Sequence, residues 1–210
     1  MLVDAEYQAR ETRRLSRLLK GAQLKTQACA EDIDYRAARG LDRQLIVSLL
    51  TCDWIGKALN VIITGPTGVG KTWLGCALGN QAARKGLSVL YRRLSRLLEE
   101  LEVARGDGSL STLRAQLAKV NLLIVDDWAL APLSARGRQD LMELVDDRVA
   151  SGSLLLTSQL PLDQWHDYIG EPTSADAILD RIVHNAHRIE LRGESLRKQQ
   201  ALAATKGGNP

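Results

Sequence analysis

The residues most able to do chemistry lie in one octapeptide, Gly65-Pro66-Thr67-Gly68-Val69-Gly70-Lys71-Thr72. It matches the pattern G-x-x-x-x-G-K-[ST]. Glycines at 65, 68 and 70 let the backbone turn so that successive N–H groups point into one concavity. A helix opening at Lys71 adds the positive end of its dipole to that concavity. The Lys71 ammonium can then reach the β- and γ-phosphates of a nucleotide, and the Thr72 hydroxyl can ligate Mg²⁺. The context fits, because Asn60-Val61-Ile62-Ile63-Thr64 reads as a strand and the residues after Thr72 read as a helix.

Leu122-Leu123-Ile124-Val125-Asp126-Asp127 is a buried-type strand that ends in two carboxylates. Asp126 is placed to support the Mg²⁺ shell, and Asp127 to polarise an attacking water. Thr157-Ser158-Gln159 ends another apolar strand, where a polar side chain would lie beside the γ-phosphate. Arg181 falls off the apolar face formed by Ala175, Ile178, Leu179, Ile182 and Val183. It reads either as a solvated arginine or as an arginine finger that completes a neighbour's site. Arg197 is open to the same two readings. His184 and His187 read as surface or capping residues, and no metal site built from protein ligands is visible.

These groups need elements to hold them. Residues 2–20 and 41–57 carry apolar stripes at helical spacing, with 22–40 mixed and turn-rich between them. Strands follow at 61–64, 88–91, 122–125, 154–157 and 188–191. They alternate with helices at 71–85, 94–104, 110–118, 134–150 and 175–185. Continuous apolar strands alternating with helices predict a parallel sheet covered on both faces.

The 210 residues suit one domain and an appendage, and 45% apolar with 25% charged residues excludes disorder as the default. Nothing approaches the roughly 18 consecutive apolar residues of a membrane span, and residues 1–20 are too charged for a secretory signal. Three cysteines without ligand spacing read as reduced thiols, which places the chain in the cytoplasm. The net charge of +3 is unevenly spread: residues 106–180 carry −7, whereas 84–105 carry +3 and 181–210 carry +4. Segregation of this kind can present basic surface to a polyanion.

The P-loop, Asp126-Asp127-Trp128-Ala129-Leu130-Ala131-Pro132-Leu133, the run from Thr157 to Pro161 with Trp165-His166, and the run from Ala177 to Arg188 together resemble the IstB family. Those proteins are AAA+ helper ATPases of insertion-sequence transposases, similar to DnaC-type helicase loaders. The resemblance covers residues 6–198. It implies ATP and Mg²⁺ as ligands, a homo-oligomer with ATP at subunit interfaces, largely sequence-independent binding of duplex DNA, and recruitment or stimulation of a cognate transposase. By position, residues 65–72 bind nucleotide, and Thr72 and Asp126 support the metal. Asp127 is the catalytic acid, Gln159 with Ser158 takes the sensor 1 place, and Arg181 takes the arginine-finger place. Aspartate at 127 replaces the usual glutamate, which implies slow hydrolysis.

The expected fold is therefore an α/β P-loop NTPase of AAA+ type with a five-stranded parallel sheet in the order 5-1-4-3-2 and no C-terminal lid domain. Residues 1–57 are expected as a helical arm and linker, 58–198 as the ATPase core and 199–210 as a flexible tail. In such a fold Arg92, Arg93, Arg96 and Arg105 would face DNA. The competing reading pairs Arg92, Arg93 and Arg96 with Glu99, Glu100 and Glu102 in a solvated, salt-laced face. Should those arginines make no DNA contact, the arm around Arg13, Arg14 and Arg17 is the next candidate. Two other functions fit the motifs less well: a helicase loader, and a P-loop small-molecule kinase, which would need an acceptor pocket and an arginine-bearing lid.

Overall fold

A computed structural model describes residues 2–36, 39–196 and 198. Five strands, β1 (Asn60–Thr64), β2 (Val89–Arg93), β3 (Leu122–Trp128), β4 (Ser153–Ser158) and β5 (Ala186–Glu190), form one parallel sheet. Its order is β2-β3-β4-β1-β5, which is the expected 5-1-4-3-2 read from the other edge. The three most apolar strands occupy the middle, where both faces are covered.

Side chains alternate across the sheet and feed two cores. Leu122 and Ile124 of β3 pack with α1 (Leu2–Ala22), α2 (Arg43–Leu50), α3 (Asp53–Gly56) and α4 (Lys71–Arg84). Leu123 and Val125 pack with α5 (Leu94–Gly106), α6 (Leu110–Lys119), α7 (Ala135–Arg148), α8 (Trp165–Ile169) and α9 (Pro172–Val183). The segment expected as an arm joins the first core from Leu18 onward, through Leu18, Leu19, Ala22, Ala28 and Ile33.

Two elements depart from the expectation. The helix expected over 41–57 is broken, because Cys52 adopts a left-handed φ of 66° between α2 and α3. The break swings Trp54 and Ile55 into the core, and the Trp54 indole donates to the Leu49 carbonyl at 2.9 Å, capping the end of α2. The short helix α8 was not expected. Five residues carry too little periodicity to announce a helix, and what fixes it is the fully buried Trp165, whose indole donates to the Leu160 carbonyl. Below the sheet, buried Arg148 donates to the carbonyls of Leu117, Val120 and Ser153, tying α6 to the starts of β3 and β4. Burial pulls its pKa down to about 10. Arg197 and residues 199–210, including the expected tail, lie outside the described residues.

Candidate nucleotide site

β1 delivers Gly65 to the C-terminal edge of the sheet, and α4 begins six residues later. At Gly65 (φ 144°) a Cβ would lie 2.2 Å from the Leu191 carbonyl oxygen, and at Gly68 (φ 84°) it would lie 2.1 Å from Ser195 Oγ. Glycine is thus required at both for conformation and for the close approach of the segment after β5. That segment is bonded to the loop, since Leu196 N–H donates to the Gly68 carbonyl and Leu191 N–H to the Thr64 carbonyl. Gly70 caps α4 without a side-chain acceptor, so the first N–H groups of the helix are left for an anion. Lys71 Nζ lies in the same turn, donating to the carbonyls of Gly65 at 2.6 Å and Pro66 at 2.7 Å. Burial lowers its pKa, opposed by the charges of Asp127 and Asp126.

Asp126 is fully buried on the α4 side of the sheet and is heavily coordinated. Thr72 Oγ1 donates to its two oxygens at 2.8 and 3.1 Å, the Tyr91 hydroxyl at 2.5 Å, and Thr157 Oγ1 also donates to it. Lys25 Nζ stands 3.5 Å away. Burial alone would raise the carboxyl, but these hydroxyl bonds and the Lys25 charge outweigh it and hold it below the usual value. An ionised carboxylate touching a hydroxyl at the helix start is a set of hard oxygen donors, which fits Mg²⁺. Tyr91 pays the opposite electrostatic consequence: burial, then the Asp126 hydrogen bond, push its phenol well above the ordinary value.

Asp127 has a left-handed φ of 60°, and the β3–β4 register shifts between Val125 and Trp128. This turn separates Asp126, which faces α4, from Trp128, which packs in the opposite core against Trp165. Asp127 itself is half-buried at the sheet edge, where its N–H donates to Thr157 Oγ1 at 3.3 Å and Arg93 Nε lies 3.5 Å from its carboxylate.

The residues at the end of β4 divide by the same alternation. Gln159 meets the P-loop, accepting the Thr67 hydroxyl at 2.6 Å. Ser158, expected beside it, does not: its buried hydroxyl donates to the Trp128 carbonyl on the far face of the sheet. Thr157 is the residue of this trio that touches both acids, through the Asp126 carboxylate and the Asp127 backbone N–H.

Arg181 lies at the other end of the sheet. Its carbonyl and that of Ile182 accept from the Asn60 side chain at the first residue of β1, and its guanidinium pairs with Asp146 of α7. The length of β1, about 13 Å, separates that end from the P-loop. The proposed DNA contacts are mostly engaged within the chain. Arg92 pairs with Glu100 at 3.0 Å, and Arg96 with Glu99 at 3.2 Å and Glu100 at 3.7 Å, as the salt-laced reading expects. Arg105 is corrected outright, since its guanidinium is spent on the nearly buried Asp140. Arg93 belongs to the nucleotide site through Asp127. His184 sits exposed beside Asp180. Among the described residues no His, Cys, Asp and Glu cluster could hold a metal, and no helix is long and apolar enough to cross a membrane.

Lys25, Arg39, Tyr91, Thr157 and Ser195 are site residues that the sequence reading did not assign, and Arg93 is one that it assigned to DNA instead. Arg39 is buried, donating to the carbonyls of Asp34 at 2.8 Å and Val69 at 3.5 Å, beneath Gly70. Only Thr157 had a visible signal, its place at the end of an apolar strand.

A five-stranded parallel sheet with a P-loop after β1 and carboxylates at the end of β3, with β4 inserted between the two strands, defines a P-loop NTPase of the AAA+ class. The fold is shared with DnaI (TM-score 0.67, 21% identity, covering 87% of this chain and 98% of that one). It is shared too with DnaA from Aquifex aeolicus bound to AMPPCP (TM-score 0.65, 17% identity, 88% of this chain and 56% of that one). The chain belongs to the family of IstB-like ATP binding proteins, whose model matches residues 1–204. It is 52% identical over 200 residues to the putative insertion sequence ATP-binding protein y4pL of Sinorhizobium fredii, covering 95% of this chain and 82% of that protein. It is also 32% identical over 213 residues to the IS21 putative ATP-binding protein of Pseudomonas aeruginosa, covering 100% and 80%.

Proposed function

We propose that this chain is an ATP-hydrolysing helper of DNA transposition, which assembles on duplex DNA with ATP shared between subunits and recruits or stimulates a transposase. Lys71 and the free N–H groups of α4 bind the phosphates, and Thr72 with Asp126 holds Mg²⁺, which when bound neutralises charge on the β- and γ-phosphates. Asp127 positions the attacking water, Gln159 contacts the γ-phosphate end of the loop, and Arg181 acts on the nucleotide of the adjacent subunit. DNA contacts fall to the exposed Arg96 and to the basic turns of α1 around Arg13 and Arg17. The chain's membership in an insertion-sequence family supports the transposition setting.

The observation that carries this reading is the position of Arg181. It sits at the N-terminal edge of the sheet while the phosphate-binding residues sit at the C-terminal edge. A subunit cannot apply Arg181 to its own ATP, but a neighbour stacked head to tail can receive it. Sedimentation of the protein with ATP, Mg²⁺ and a duplex of arbitrary sequence tests this. Assemblies larger than a monomer, lost without nucleotide and similar on unrelated duplexes, are expected; a monomer under all conditions overturns the proposal.

A further inference from the structure

Lys25 reaches the buried carboxylate of Asp126 from a loop that leaves α1, a segment to which the P-loop chemistry assigns nothing. The loop is fixed at two consecutive residues. Gln23, with a left-handed φ of 50°, accepts from Arg92 Nη1 at 2.7 Å. Leu24 packs over Gly79 of α4, where a Cβ would lie 3.2 Å from Leu24 Cδ2. This anchoring aims Lys25 Nζ at Asp126 Oδ2, 3.5 Å away, with the lysine side chain 31% exposed and the carboxylate at 0%.

We propose that Lys25 is a positioning residue of the metal site: it pairs with the buried Asp126 carboxylate and keeps it aimed at Thr72 before Mg²⁺ arrives, and it gives way when Mg²⁺ enters. The inference rests on the reading of Thr72 and Asp126 as the metal-supporting pair. A buried carboxylate without a cation is costly, and here three hydroxyls and one ammonium share the load. A divalent ion beside the same carboxylate repels the ammonium, so the two compete for it. Lys25 is partly exposed and can turn to solvent, whereas Thr72 and Tyr91 are held by α4 and β2. Loading of metal and nucleotide at the P-loop is thereby transmitted to the loop after α1 and to its Gln23–Arg92 contact.

The test titrates Mg²⁺ into the protein with a fluorescent ATP analogue and reads the half-saturating Mg²⁺ for nucleotide binding, in wild type, Lys25→Met, Lys25→Arg and Asp126→Asn. Lys25→Met is expected to need about fivefold less Mg²⁺, with Lys25→Arg close to wild type. A merely structural lysine would lower stability and leave the Mg²⁺ requirement unmoved. In wild type, trypsin cleavage after Lys25 should accelerate when Mg²⁺ joins ATP, a readout that needs no variant. An unchanged or higher Mg²⁺ requirement in Lys25→Met, or cleavage indifferent to Mg²⁺, overturns the proposal. Equal Mg²⁺ dependence in wild type and Asp126→Asn overturns the metal-site reading itself, whereas dependence lost only in Asp126→Asn, with no shift in Lys25→Met, sinks the role of Lys25 alone.

Discussion

Thr157 and Asp126 are joined by a hydrogen bond that ties the end of β4 to the end of β3, and the same threonine oxygen accepts the N–H of Asp127 at 3.3 Å. One hydroxyl therefore braces the Asp126 carboxylate and the backbone of Asp127 together. Replacing it with the isosteric Thr157→Val removes a donor from a buried ionised group, at a cost of about 1.5–3 kcal/mol. Urea unfolding should show that loss in Thr157→Val and little of it in Thr157→Ser, with turnover falling further than nucleotide affinity in the valine variant. Equal stability of the two variants would count against the shared brace.

Binding and turnover should separate by residue. Asp127→Asn leaves Lys71, Thr72 and Asp126 in place, so it should bind ATP as wild type while hydrolysis falls by at least ~10². Lys71→Ala should instead weaken ATP binding, because it empties the turn between Gly65 and the start of α4. Calorimetric titration beside a phosphate-release assay reads both; the same loss of affinity in the two variants contradicts the assignment.

The basic residues after β2 should likewise divide. Arg105→Ala strips the nearly buried Asp140 of its main partner and should cost about 1–3 kcal/mol of stability, with DNA affinity unaltered. Arg96→Ala removes an exposed guanidinium and should lower the log–log salt slope of DNA binding by about one unit on any sequence. Salt titrations of DNA affinity with ATP present would show this, and an unchanged slope for Arg96→Ala would shift the contact to α1.

Acid should loosen α9 through its cap. Glu171 accepts the N–H groups of Thr173 and Ser174, and bonds from Ser174, then Thr173, hold its carboxyl down at about 2. A depressed carboxyl contributes stability above its unfolded value and loses it as pH falls through the folded one. The stability gap between wild type and Glu171→Gln should thus be full above about pH 5 and close on approach to pH 2. A gap independent of pH across that window would show that the charge of Glu171 contributes nothing to the cap.

Much of this site is legible before folding, for local reasons. The P-loop is contiguous, its glycines are dictated by backbone conformation, and Asp126 follows four apolar residues that only a central strand would carry. Which strands lie in the middle of the sheet follows from which are apolar throughout, whereas their order comes with the family resemblance. The partners of Asp126 are not legible, because Lys25, Tyr91 and Thr157 come from three separate elements that only the parallel crossovers bring together. Ser158 was misplaced because the pleat, not proximity in sequence, decides which neighbour faces the nucleotide. The break at Cys52 escaped notice because helical spacing runs through it, and it is Trp54 seeking the core that breaks the helix. Arg105 looked free because its partner lies 35 residues away on α7.

The central claim, an ATP site completed by a neighbour, is tested most directly by mixing two inactive variants. Arg181→Ala subunits should bind ATP and lose at least about 10³-fold in turnover, as expected when a charge-stabilising arginine is removed. Asp127→Asn subunits keep Arg181 but lack the water-positioning acid. In an equimolar mixture that forms hetero-oligomers on DNA, about a quarter of the head-to-tail interfaces pair an intact site with an intact arginine. The steady-state ATPase rate of the mixture should therefore rise to about a quarter of wild type. A mixture as inactive as its components, with hetero-oligomers present, would contradict the account and leave Arg181 as the partner of Asp146 alone.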